Sequence, residues 1–149
     1  VIFYSEDEYP ILRFNPLYKS LFYMGNIAAQ KKAKLSGAFE PIFFNNNKLI
    51  TEGAMRNIFF IKNNIVYTPP LDLGILNGIT RQHIIKLVLK LGYKCIEKNI
   101  NFNKIHEMEE AFITSTGIGV LPCYWENWTS NFSITFKLKN LYNANIKIK

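Results

Sequence analysis

Two short runs in this 149-residue chain have the residue types needed to hold an anion. Gly78-Ile79-Thr80 stands just before residues 82–91, where Ile84, Ile85, Leu87, Val88 and Leu91 recur at helical spacing and Gly92 ends the run. That spacing predicts a helix starting at residues 78–80. A helix start offers backbone N–H groups without intrahelical partners and a partial positive charge. Thr80 adds a hydroxyl, a combination suited to a phosphate-sized anion. The same tripeptide also suits an ordinary cap, with Thr80 capping its own helix. The second run, Thr114-Ser115-Thr116-Gly117, lies between the strand-like Ala111-Phe112-Ile113 and Val120-Leu121. Its hydroxyls and glycine fit either a plain turn or a second set of donors to the same anion.

These runs need a scaffold, and the apolar pattern gives one of alternating helices and strands. Residues 20–35 read as a helix ended by Gly37. Residues 39–44, 58–62 and 66–68 read as strands, with Asn45-Asn46-Asn47 and Asn63-Asn64 as hairpin turns. After the helix from Thr80, residues 93–97 read as a strand, 102–107 as a short helix, 111–114 and 120–124 as strands, and 135–142 as a closing helix. No repeat or linker divides the chain, so residues 1–149 are expected to form one mixed α/β domain.

A series of motifs runs through this scaffold: Lys19-Ser20-Leu21, Gly25-Asn26, Ala29, Thr51-Glu52-Gly53, Asn57-Ile58-Phe59, Tyr67-Thr68-Pro69-Pro70, Gly74-Ile75-Leu76, Gly78-Ile79-Thr80-Arg81, Ser115-Thr116 and Leu121-Pro122. They stand in the order found in class IV aminotransferases. From about Tyr18 to its end the chain resembles the larger, C-terminal domain of these fold type IV pyridoxal phosphate enzymes. The family includes branched-chain and D-amino-acid transaminases and 4-amino-4-deoxychorismate lyases. The resemblance implies a barrel-like α/β domain, pyridoxal 5'-phosphate as cofactor, and a homodimer with active sites near its interface.

It also implies roles for particular residues. Lys19 matches the lysine that forms the Schiff base and shuttles the proton of the substrate α-carbon. Such a lysine must be partly desolvated, since an exposed ammonium is a poor base, and Leu17, Tyr18, Leu21 and Phe22 are apolar enough to do this. Glu52 matches the acid that pairs with the pyridine nitrogen. Gly78, Ile79 and Thr80, with Ser115 and Thr116, match the phosphate cradle. Leu76 matches the residue packed on the ring face, and Tyr23 falls where many relatives place a tyrosine that reaches the ring hydroxyl. Arg81 completes the signature in a structural capacity. Without the motifs, Lys19 would read as a surface charge and Glu52 as part of a turn.

Three departures bear on substrate. Phe22 stands where relatives commonly have Asn, and Ala54-Met55-Arg56 replaces the small residues that often follow the Glu-Gly pair. Arg56 is therefore open to two readings, a substrate-carboxylate ligand or a solvent-facing or structural arginine. The smaller N-terminal domain of the family, which supplies an arginine to the cofactor phosphate, is expected to be absent from this chain. The resemblance implies amino-group transfer from an amino acid to a 2-oxo acid. The alternative within the family is the lyase reaction on aminodeoxychorismate, releasing pyruvate and 4-aminobenzoate for folate synthesis. A non-catalytic relative or truncated binding domain is the alternative of another class.

Composition narrows the rest. An ordinary apolar share suits a single globular core, and no apolar run is long enough to span a membrane. Cys95 and Cys123 lack metal-ligand spacing and only His83 and His106 accompany them, so no metal site is expected. Two unclustered cysteines fit a reducing cytoplasm. The net charge of +7 comes from dispersed lysines, the densest being Lys31, Lys32 and Lys34 on a predicted helix, and no nucleic-acid signature accompanies them.

Overall fold

The run Asn57-Ile58-Phe59-Phe60-Ile61-Lys62 has no polar alternation, which requires a strand covered on both faces. The computed structural model, which describes residues 1–13, 19 and 21–146, places it at the centre of the molecule. This strand, β4 (Asn57–Lys62), belongs to a five-stranded sheet with β5 (Ile65–Thr68), β6 (Lys94–Glu97), β7 (Glu110–Ser115) and β8 (Gly119–Pro122), in the order β6-β5-β4-β7-β8. β5 and β6 pair in parallel and the other neighbours are antiparallel. A smaller sheet, β1-β2-β3, is made of β1 (Ile2–Ser5), β2 (Pro41–Phe44) and β3 (Ile50–Gly53).

Three helices, α1 (Met24–Leu35), α2 (Ile79–Lys90) and α3 (Ser133–Ile146), complete the architecture. Phe59 and Ile61 of β4 pack with Ile84, Leu87 and Val88 of α2 and with Leu138 and Tyr142 of α3. Ile58 and Phe60 face the other way, toward Ile42, Ile50 and Ile113 of the two sheets. A third cluster seats α1 on the small sheet, where Ala29 and Ala33, one turn apart, pack with Tyr4, Phe43 and Ala54. Side chains this short let the helix lie close to β2. Among the described residues no helix is long and apolar enough to cross a membrane.

Most elements fall where the pattern predicts. Asn63 and Asn64 both adopt positive φ between β4 and β5, as a tight hairpin turn demands, and residues 102–107 form a 3-10 helix. The first helix is the main correction. It begins at Met24 rather than at residue 20, with Tyr23 as a cap that makes no side-chain hydrogen bond. Ser20 lies outside the described residues. The strand expected over 39–44 starts at Pro41, β1 and β3 were not anticipated, and the closing helix is longer than 135–142.

That closing helix is anchored by a buried acid. Glu110 of β7 accepts hydrogen bonds from the Ile134 and Thr135 backbone N–H groups at 2.9 and 2.8 Å and from the Ser133 and Thr135 hydroxyls at 3.1 and 2.7 Å. A carboxylate here satisfies N–H groups of the first turn and complements the helix dipole. Glu110→Ala should therefore cost about 2–3 kcal/mol, since it leaves buried donors unpaired. Urea denaturation would check this, and a loss below 0.5 kcal/mol, expected of about any neutral surface change, would refute the anchoring role.

Candidate active site

β3 ends at Glu52-Gly53 in the small sheet, and four residues later the chain enters β4 of the large one. The intervening turn is held tightly. The Gly53 N–H donates to the Arg56 carbonyl at 2.7 Å, the Ala54 N–H to the Pro41 carbonyl at 3.1 Å, and the Met55 N–H to Glu40 Oε1 at 2.8 Å. A Cβ on residue 53 would lie 2.6 Å from Glu40 Oε1, so only glycine fits there. Asn26 of α1 donates from Nδ2 to the Ala54 carbonyl at 2.8 Å. The helix that follows Lys19 is thereby tied to the turn that follows Glu52.

One cleft results, lined by Lys19, Tyr23, Glu52 and Leu76 together with Arg13, Met55, Arg56 and Asn57. Four residues drawn from three separate stretches of sequence thus meet at one place. Lys19 Nζ donates to the Tyr23 hydroxyl at 2.8 Å. Leu76, in the loop between β5 and α2, donates its N–H to the two Glu52 oxygens at 3.3 and 3.2 Å. Asn57 Nδ2 bridges Glu52 Oε2 at 3.2 Å and the Leu76 carbonyl at 2.8 Å.

Glu52 is the most perturbed acid of the cleft. Burial pushes its pKa up to about 7, against the opposing pull of Arg13 and the Leu76 amide, while the charge of Glu6 pushes the same way as burial. Arg13 Nη1 lies 2.6 Å from Glu52 Oε1, its Nη2 donates to Thr51 Oγ1 at 2.9 Å, and the same guanidinium pairs with Glu6. Arg13, Glu6, Thr51 and the bridging role of Asn57 were not anticipated. Arg13 is 39 residues from Glu52 and no local pattern links them. Asn57 had a weak signal, standing one turn beyond Glu52.

Lys19 is exposed, which corrects the expectation of a desolvated amine. Leu21 is 95% exposed and Phe22 about half exposed, while Leu17 and Tyr18 lie outside the described residues. Leu21 and Phe22 precede α1, which starts only at Met24.

The anion-binding expectation rests on a second region. α2 begins at Ile79 with Gly78 as its N-cap, extended at φ −61° and ψ 141°, and no side chain caps it. Thr80 is buried inside the first turn and does not cap its own helix. A Cβ at Gly78 would strike Asn57 Oδ1, and Asn57 pairs across the sheet with Thr114 of β7. Ser115 ends β7 and Thr116 follows it, exposed, so the start of α2 and the Ser115-Thr116 corner lie toward the same end of the β4–β7 pair. Gly78, Ile79, Thr80, Ser115 and Thr116 are not among the residues lining the Lys19 cleft.

Arg81 and Arg56 resolve differently. Arg81 is 1% exposed and pairs with Glu97 at 2.6 Å while donating to the Pro69 carbonyl at 3.1 Å, which is a structural placement. Arg56 is not solvent-facing. It pairs with the fully buried Glu40, whose own pKa burial raises, and its guanidinium sits 4.7 Å from the centre of the Phe39 ring. Among the described residues no group of three His, Cys, Asp or Glu side chains is placed to hold a metal ion.

Comparison with known proteins bears on this site. A family model described as amino-transferase class IV matches residues 1–124. D-alanine aminotransferase of Bacillus licheniformis is 38% identical over 104 residues, covering 70% of this chain and 36% of that protein. A Legionella pneumophila structure provisionally named 4-amino-4-deoxychorismate lyase is similar with a TM-score of 0.84 and 34% identity, covering 97% of this chain and 56% of that one. The PLP form of a branched-chain amino acid aminotransferase from Thermobaculum terrenum gives a TM-score of 0.82 at 25% identity, covering 89% and 46% of the two chains. The chain spans less than half the length of the curated relatives it matches.

Proposed function

This chain belongs to the class IV aminotransferase family, and we propose that it is the cofactor-binding part of a pyridoxal phosphate enzyme that transfers an amino group from an amino acid to a 2-oxo acid. The observation that carries the reading is the meeting of Lys19, Tyr23, Glu52 and Leu76 in one cleft. The donor set suits the cofactor. An amine, a phenol, a buried carboxylate and an apolar side chain correspond to an aldehyde, a ring hydroxyl, a ring nitrogen and a ring face. The uncapped start of α2, where only a glycine avoids Asn57, suits the phosphate.

When bound, pyridoxal phosphate supplies a carbonyl carbon that condenses with amines and a ring that accepts electron density from the substrate α-carbon. In this reading Lys19 Nζ takes the α-proton and returns it, which requires the neutral amine. The Tyr23 hydroxyl orients Nζ from 2.8 Å. Glu52 would hold the ring nitrogen in its protonated form by charge and hydrogen bond, and Asn57 and the Leu76 amide keep its carboxylate in place. Leu76, which lines the cleft, would pack against the face of the ring. Because Lys19 is exposed, this reading takes water exclusion from outside the described residues. The reading assigns that cover to a smaller domain and to a homodimer, residues 1–149 being the larger domain, and it places the protein in the cytoplasm.

A second reading, the pyruvate-releasing lyase, is supported by the similarity to the Legionella protein. The two share Lys19 chemistry and diverge in product, so amino transfer to 2-oxoglutarate against release of pyruvate and 4-aminobenzoate separates them. The test common to both is the absorption spectrum of the chain with pyridoxal phosphate, before and after borohydride, beside Lys19→Ala. A yellow, borohydride-fixable species that Lys19→Ala lacks is the expected result. If neither this chain nor a longer one carrying further N-terminal sequence gives it, the domain is a non-catalytic relative.

A further inference from the structure

We propose that Arg56 receives a carboxylate of the substrate, an inference that rests on the aminotransferase reading above. Every amino acid and 2-oxo acid carries at least one carboxylate, and a carboxylate leaving water needs a cation with hydrogen-bond donors. Among the described residues three cations line the cleft: Arg13, Lys19 and Arg56. Arg13 is engaged by Glu52, Glu6 and Thr51, and Lys19 is the amine of the reaction. Arg56 is the cation left for an incoming acid.

Its geometry is that of a receptor already set in place. Nη1 is held by Glu40, and the flat face of the guanidinium lies against Phe39. Glu40 is itself fixed by the Met55 N–H. The remaining edge, Nε–H with Nη2–H, is the fork that a carboxylate fits with two parallel hydrogen bonds. Nε is out of water without a partner, and Nη2 has none among the described residues. Glu40 offsets the charge of Arg56 through Nη1 and takes neither Nε nor Nη2. Because the side chain is immobilised before the acid arrives, binding costs little further ordering.

The test is calorimetric titration of the chain with 2-oxobutyrate and 2-oxoglutarate, with butanone as the uncharged control. The variants are Arg56→Met and the charge-balanced pair Glu40→Gln with Arg56→Met, which removes the risk that a lone buried Glu40 unfolds the protein. Affinity for the oxo acids should fall on the order of tenfold or more in both variants, with butanone unaffected. Loss for both acids assigns the carboxylate next to the carbonyl, and loss for 2-oxoglutarate alone assigns the distal one. Equal affinity in all three proteins, or no oxo-acid binding by the wild type, overturns the proposal. The borohydride-fixable absorbance recorded on the same wild-type sample separates the two levels. Arg56-dependent binding with that absorbance missing both from this chain and from a longer one carrying further N-terminal sequence would sink the aminotransferase reading and leave a carboxylate site.

Discussion

Glu52→Gln should lower amino-group transfer by about two to three orders of magnitude, the loss seen when one preorganised charge partner is removed from a reacting centre, while pyridoxal phosphate is still retained. The glutamine side chain keeps the shape of the acid, and its carbonyl still accepts from Arg13 and Leu76. It lacks the negative charge that would keep a ring nitrogen protonated. The effect should therefore appear in kcat, with little change in the amount of cofactor bound. If cofactor retention and kcat fell together, Glu52 would be a structural residue of the cleft.

The same substitution should make the cofactor-free protein more stable above neutrality. The folded-state pKa of Glu52 is raised from 4.5 to about 7 by burial. Between those values the folded chain holds a proton that the unfolded chain has released, so stability falls as pH rises through that window. The loss amounts to about 3 kcal/mol when complete. Glutamine does not titrate, so its stability relative to wild type should be near level at pH 4.5, climb through pH 6, and flatten above pH 8. Parallel stability curves for the two proteins would show that Glu52 ionises as an ordinary carboxylate. Burial sets the step, Arg13 and the Leu76 amide reduce it, and Glu6 adds to it.

How much of this was legible in the sequence depends on the range of the interactions. β4 and the Asn63-Asn64 turn were readable because four consecutive apolar residues and two residues tolerant of positive φ determine structure within a few positions. β3 was not. Thr51-Glu52-Gly53 carries a polar residue beside a glycine and reads as a turn. It is a strand because β2 lies alongside and an irregularity in their register redirects it. The start of α1 was misplaced because apolar residues at 21 and 22 continue a helical pattern that the backbone does not follow. Lys19, Glu52 and Leu76 were found through motif order, and the structure brings them to one cleft. Arg13 was invisible because its value lies wholly in a contact across 39 residues.

Arg81 illustrates the converse, a signature residue whose work is architectural, and the most telling substitution is at its partner. Glu97 sits at the end of edge strand β6 with 42% of its side chain exposed, so it resembles a dispensable surface acid. Glu97→Ala should nevertheless destabilise the protein by about 3 kcal/mol, because it strands a guanidinium that the fold keeps almost wholly out of water. Arg81 would then retain only the Pro69 carbonyl and a long contact to Asn77, with Nε already lacking a partner. Arg81→Met should cost less, about 1–2 kcal/mol, since methionine fills much of the volume and leaves Glu97 free to hydrate. The double variant should resemble Arg81→Met alone, which makes the pair strongly non-additive. Urea titration of all four proteins measures this. If Glu97→Ala proved neutral, or if the two losses simply added, Arg81 would be solvated by some other route and the buried pair would not be what holds the start of α2 against the large sheet.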